Sequence, residues 1–194
     1  MHERRLAASH AHRLDSPARL LFLPPGEVLD ALALHAGDTV ADVGAGTGYF
    51  TLPMARAVGP KGKVYAVDAQ AEMLVLLKEK LRHAGLANVN LVQAEADRTG
   101  LPPSICDLFF LANVWHELDD CAATLREARR VLKPQGRIAI LDWRPDVEQE
   151  NGPPLAHRLD SSHAIGHLRA AGLEPRAHTL VGRYSWLVQG VMRL

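Results

Sequence analysis

The sequence predicts an α/β fold, a doubly wound and mostly parallel sheet that finishes with one reversed strand. Three observations predict it. Within the first 143 residues lie five near-continuous apolar runs of strand length, which is how strands buried on both faces of a parallel sheet read. Longer amphipathic stretches alternate with them, as helices do in such a sheet. Near the end, two β-rich runs are joined only by Gly182 and Arg183, and a connection that short makes an antiparallel hairpin.

Taken in order, PPGEVLDALALHAG (24–37) reads as a helix starting after its prolines, a cap beside the sheet. TVADVG (39–44) is the first strand. TLPMARAVG (51–59) follows as a helix whose Pro53 suits a first turn and would break an interior. KVYAVD (63–68) is the second strand. In AEMLVLLKEKLRHAG (71–85), Leu74, Leu77 and Leu81 recur at helical spacing and Gly85 is placed as the stop. VNLVQAE (89–95) and ICDLFFLAN (105–113) are strands. DDCAATLREARRVLK (119–133) is a helix with Leu125, Ala128 and Leu132 on one stripe, and Arg126, Glu127, Arg129 and Arg130 in water. GRIAILDW (136–143) is the fifth strand. A helix over 157–172 and strands over 173–181 and 184–194 complete the chain.

The length of 194 residues fits one domain with a substantial core. Lys plus Arg and Asp plus Glu both total 22, so no summed field steers a polyanion and nucleic acid is not the expected partner. Cys106 and Cys121 form no CxxC pair, which argues against a disulfide framework and a structural zinc, and fits a reducing cytoplasm. No run approaches the roughly 20 apolar residues of a membrane span, and LLFL (20–23) is too short for a signal segment. The expectation is a cytoplasmic protein acting on a small molecule, with a homodimer left open.

ADVGAGTGYF (41–50) carries the chemistry. In an open parallel sheet the ligand sits beyond the carboxyl ends of the strands, and this loop ends the first strand. Gly44, Gly46 and Gly48 let the backbone approach a ligand, and the helix that follows offers free N–H groups to an anion. A dinucleotide fingerprint needs glycine or alanine at 49, where Tyr49 stands. Asp68 ends the second strand, where a carboxylate accepts both hydroxyls of a ribose. Asp42 is a buried carboxylate in need of partners, either loop N–H groups or a ligand ammonium.

With these residues in view, the sequence resembles the class I S-adenosylmethionine-dependent methyltransferases over nearly its whole length. VADVGAGTGYF looks like their first motif, VYAVD like the second, and AEADRTGLPPSICDLFFLANVWHEL like the third and fourth. ARRVLKPQGRIAILDW is similar to the segment after them, with Gln135 in place of the commoner glycine. Within the class it is most similar to the small ubiquinone/menaquinone-biosynthesis-type methyltransferases. The resemblance implies a Rossmann-like, seven-stranded sheet with a reversed last strand. It also implies S-adenosylmethionine as cofactor, held by Asp42, Gly44, Ala45, Gly46, Gly48, Asp68, Ala69, Ala96, Asp97 and Asn113. Asp97 takes the place of the acid that meets the adenine amino group. On this reading 1–37 form N-terminal cap or lid helices, 38–143 the cofactor half, and 144–194 the substrate-side loop, helix and hairpin.

Asn113, Trp115 and His116 follow the fourth strand, where an acceptor meets the donor. His116, with a pKa near neutrality, is the candidate base, against a plain role in capping the loop. His163 and His167 are i, i+4 on a helix, but no third ligand accompanies them and no metal is expected. GPPLAHR (152–158) is either a pocket wall or a rigid connector. The GPKGK turn is no phosphate loop, since GxxxxGK is absent. Three functions compete: methyl transfer to a small molecule, a methyltransferase-like protein that binds cofactor without turnover, and a nicotinamide-dependent oxidoreductase.

Overall fold

A computed structural model describes residue 11, residues 14–148 and residues 152–192. The basic start of the chain and the last two residues of the final β-rich run lie outside the described residues. Seven strands form one sheet: β1 (Thr39–Val43), β2 (Lys63–Asp68), β3 (Val89–Gln93), β4 (Cys106–Ala112), β5 (Leu132–Trp143), β6 (Leu173–Val181) and β7 (Ser185–Met192). Their spatial order is β3-β2-β1-β4-β5-β7-β6. β1 to β5 are parallel, and β7 runs antiparallel to both β5 and β6. The reversed strand is therefore last in sequence but next to last in the sheet, because the tight turn folds β7 back between β5 and β6. The winding changes direction between β1 and β4, which opens a crevice at their carboxyl ends.

Helices cover both faces. Short α1 (Arg19–Phe22), α2 (Pro25–Leu32), α3 (Thr51–Val58) and α4 (Ala71–Ala84) lie over one, and α5 (Cys121–Val131) and α6 (Ser161–Ala170) over the other. Alternation along the strands feeds the two cores: Leu108 and Phe110 of β4 pack with Val28, Leu32 and Met54, whereas Phe109 and Leu111 pack with Leu125, Ala128 and Leu168. Leu74, Leu77 and Leu81, the stripe read from the sequence, form the apolar patch of α4 over Ala66 of β2.

Two expectations are corrected here. α5 stops at Val131, and Leu132 already pairs with Cys106, so β5 begins four residues before the predicted start and bulges before Arg137. Glu127 is buried, not solvated: its carboxylate accepts from the Thr99 backbone N–H at 2.8 Å and from Arg130 Nε at 2.7 Å. Although burial opposes ionisation, Arg130 and Thr99 hold this carboxyl below its ordinary pKa. A side chain at a helical position on the solvent side is thus drawn inward by a loop donor and its i+3 arginine, neither of which the helical period reveals.

Trp186 of β7 ties the sheet to the segment that follows β5. Its ring is buried and Nε1 donates to the carbonyls of Trp143 (3.1 Å) and Leu159 (3.0 Å). Trp186→Phe is expected to lower unfolding free energy by about 2 kcal/mol, since it leaves one buried and one partly buried carbonyl without their indole donor. Urea denaturation measures this, and an unchanged midpoint would show that the bond bears no weight.

Candidate active site

One cleft of about 450 Å³ opens at the carboxyl ends of β1, β2 and β4. The loop after β1 forms its floor. Gly44 (φ +77°) and Gly46 (φ +54°) line it in left-handed backbone conformations that side chains resist. The absent side chains also make room for protein: a Cβ on Gly44 would lie 2.2 Å from Val114 Cγ2, and one on Gly46 3.1 Å from Leu14 Cδ1. Gly48 is different. It is not a lining residue, and its Cβ would lie 2.3 Å from Leu77 Cδ1, so it is a glycine because α4 packs on the loop.

Asp68, at the end of β2, is 8% exposed and held from two sides. Its Oδ2 accepts the Gly46 N–H at 2.8 Å and its Oδ1 the Gln70 N–H at 2.9 Å. These bonds orient both oxygens. Ala69, Gln70 and Met73 continue the wall from β2 into α4, and Ala94, Glu95 and Ala96 continue it after β3. Asp97 does not join them. The turn closed by Arg98 N to Glu95 O (3.1 Å) turns the chain so that Ala96 lines the cleft and Asp97 is exposed outside it.

Asn113 follows β4 at φ +58°, and its side-chain Oδ1 is buried with no hydrogen-bond partner among the described residues. A buried amide oxygen without a donor is costly, and this one belongs to a cleft-lining residue. It marks where a ligand donor is wanted.

Asp42, 2% exposed, accepts from Thr51 Oγ1 at 2.5 Å, which ties β1 to the first residue of α3. Burial pushes its carboxyl up to about 7, with nearby Asp68 adding to the rise and Thr51 and Arg19 opposing it. Ala45 and Thr47 complete the loop portion of the lining.

The far half of the cleft is walled by Phe22, Trp143, Gly152, Pro153 and Pro154, with His116, Glu117 and His157 among its polar groups and Glu117 Oε1 3.8 Å from His116 Nε2. The GPP segment is a wall because Arg158 holds it: Nε donates to Pro153 O (2.9 Å), Nη1 donates to Val147 O (2.6 Å), and the guanidinium lies over the Trp143 ring. His116 is 4% exposed, and its Nδ1 lies 2.8 and 3.0 Å from the two oxygens of buried Asp142. The His116 backbone N–H (2.9 Å) and the Trp143 N–H (2.7 Å) also donate to Asp142. Burial disfavours protonating His116, yet Asp142, with help from Glu117, outweighs it and the net pKa is raised. Asp142 escaped sequence reading because it sits inside an apolar strand, 26 residues from its partner. Arg19 was also missed, and nothing in the motifs points to it.

Trp115 points to the other core. It is fully buried, and its Nε1 donates to His163 Nδ1 at 3.1 Å, with the His163 and His167 rings 4.6 Å apart. Among the described residues no three His, Cys, Asp or Glu side chains gather to hold a metal. Nor is any helix among them long and apolar enough to cross a membrane.

With this geometry in place, comparison with known proteins is informative. The family described as "Methyltransferase domain" matches residues 34–172. The ubiquinone/menaquinone biosynthesis C-methyltransferase UbiE of Escherichia coli is 36% identical over 135 residues, covering 69% of this chain and 52% of the relative. The protein of the same description from Pasteurella multocida is 37% identical over 116 residues, or 59% of this chain and 43% of the relative. The chain thus spans about half the length of these curated relatives. The crystal structure of a SAM-dependent methyltransferase from Aquifex aeolicus superposes with a TM-score of 0.92 at 35% identity, covering 97% of this chain and all of that one.

The raised pKa of Asp42 has a consequence for stability. Between 3.8 and about 7 the folded protein keeps a proton that the unfolded chain has lost, so stability falls as pH rises through that window. Asp42→Asn removes this slope. Urea unfolding of the ligand-free protein between about pH 4 and about pH 6, below the range in which His116 titrates, is expected to show the variant gaining stability relative to the wild type as pH rises. Parallel profiles would refute the assignment of a protonated Asp42.

Proposed function

The chain belongs to the class I S-adenosylmethionine-dependent methyltransferases, in their UbiE-like branch, and from that premise we propose that it transfers a methyl group from S-adenosylmethionine to a small-molecule acceptor. One observation carries the proposal: a single cleft gathers a glycine-lined loop, an aspartate whose oxygens are already oriented by backbone N–H groups, and an unpartnered buried amide oxygen. In this reading the backbone of Gly44, Ala45 and Gly46 lies along the donor, Asp68 accepts from its ribose hydroxyls, and Ala69, Ala96 and Asn113 flank the nucleoside. Asp42, facing an ammonium, would ionise. Gly48 and Asp97 are left out, the first because it packs on Leu77 and the second because it stands outside the cleft.

When bound, S-adenosylmethionine supplies an electrophilic methyl group and a neutral thioether as leaving group. The protein's task is then alignment and exclusion of water. Phe22, Trp143, Pro153 and Pro154 provide an apolar wall for the acceptor. Asp142 holds the Nδ1–H of His116, which leaves Nε2 as the basic nitrogen for a proton released by the acceptor. The curated relatives are named C-methyltransferases, which favours carbon as the accepting atom. A nicotinamide cofactor fits poorly: the Tyr49 ring stacks edge-on against Phe50 at 5.0 Å and its hydroxyl donates to Leu23 O at 2.5 Å, filling the place a dinucleotide loop leaves to glycine.

Calorimetric titration is expected to show binding of S-adenosylhomocysteine and none of NAD; failure to bind the former would sink the proposal. Asp68→Ala should weaken that binding by about 1–3 kcal/mol through unpaired ribose hydroxyls. Gly46→Val should abolish it, because a β-branched side chain is strained at φ +54° and its Cβ would press on Leu14 Cδ1 at 3.1 Å. Turnover is read as labelled methyl passed from the cofactor to a small-molecule extract. His116→Gln is expected to slow that transfer at unchanged S-adenosylhomocysteine affinity, and equal rates would remove His116 from the chemistry.

A further inference from the structure

We propose that Arg19 binds the terminal carboxylate at the amino-acid end of the methyl donor. The assignment rests on the donor reading above and goes beyond it, since Arg19 belongs to none of the motifs that suggest that reading.

Arg19 opens α1, lines the cleft beside Gly44 and Gly46, and is only 7% exposed. Its guanidinium lies 4.0 Å from the centroid of the Tyr49 ring, which fixes its plane. It makes one hydrogen bond among the described residues, from Nη1 to Leu14 O at 3.1 Å. A guanidinium carries five N–H donors, so most of its bonding capacity is unused. The two nearby carboxylates are engaged elsewhere. Asp15 accepts from Thr47 Oγ1 at 2.8 Å and from Lys80 Nζ, and Asp42 accepts from Thr51. Both act on Arg19 only through space, and burial brings the guanidinium down to about 10.

Burying a cation with unfilled donors is expensive unless an anion completes it. The rigid fork of arginine matches a planar carboxylate, and a dry cavity strengthens the pairing. The surroundings narrow the anion further. Asp42, buried and lining the same cleft, is suited to an ammonium, and Arg19 lines that cleft with the opposite sign. An α-amino acid presents such a pair of charges on one carbon. The nucleoside end is accounted for by Asp68, so the amino-acid end falls to Asp42 and Arg19.

The test compares S-adenosylhomocysteine with its decarboxylated analogue, which keeps the nucleoside, thioether and amine. Calorimetry on the wild-type chain is expected to show a preference for the carboxylate-bearing ligand of about tenfold to a hundredfold. Arg19→Met should erase that preference while binding the decarboxylated analogue as well as the wild type does. Should Arg19→Met fail to fold, and so bind neither, Arg19→Lys decides the matter: it keeps the charge but not the fork, and its preference must fall below that of the wild type. An unchanged preference in the folded variant would overturn the assignment, and so would an equal loss for both ligands, the mark of a purely structural arginine. Wild-type protein that bound neither ligand would instead overturn the donor reading, and the role of Arg19 with it.

Discussion

Three carboxylates stand at the carboxyl ends of parallel strands with almost no access to water: Asp42 on β1, Asp68 on β2 and Asp142 on β5. Each has lost its hydration and must recover hydrogen bonds from whatever lies above the strand ends. What lies there are the crossover loops, so satisfying the carboxylates folds the loops into place. Asp42 recruits Thr51 and anchors the entry to α3. Asp68 takes the N–H groups of Gly46 and Gln70 and sets the glycine loop against β2. Asp142 binds the backbone and ring of His116 and holds the segment after β4 against β5. The cleft is what remains between loops fixed by three desolvated carboxyl groups.

The same constraint separates structural from ligand-directed residues. Asp142 accepts three backbone or ring N–H donors and is satisfied within the protein. Among the described residues Asp42 has one hydroxyl donor and a raised pKa, and Arg19 has one acceptor for five donors. Asn113 Oδ1 has none among the described residues. The unfilled groups lie in the cleft, where an incoming polar ligand completes them. The N-terminal segment shares in this, because Leu14 abuts Gly46, Asp15 joins Thr47 and Lys80 across the loop, and Phe22 packs on Trp143 at 5.8 Å. The apolar wall and the glycine-lined floor thereby meet under one short helix.

Much of this was legible in the residues. Buried parallel strands need apolar side chains on both faces, so β1, β2, β3 and β4 stood out as continuous runs, and the two-residue link at Gly182–Arg183 required a reversed strand. Asp68 could be placed because a carboxylate at the end of β2 follows from the geometry of a doubly wound sheet. The helical period misjudged Glu127, since a buried donor at Thr99 overrode the amphipathic pattern. Gly48 packs on Leu77 and Asp97 stands exposed outside the cleft lining, and neither placement shows in the residues: a glycine keeps no record of whether a ligand or a leucine fills its empty side, and one turn of chain separates a lining residue from an outer one.

The sequence by itself determined the order and kind of the elements, the antiparallel finish, and the strand end that carries the glycine loop. These depend on local periods of two and 3.6 residues and on connection length, which are properties of neighbouring residues. Only the tertiary structure decided which polar groups share a cavity. His116 and Asp142 are 26 residues apart, and Arg19 reaches the loop from outside every motif. Their meeting depends on how the sheet stacks its strand ends and how α1 lies across them. Contacts of that kind leave no period in the chain, because their free energy comes from burial and charge pairing in space.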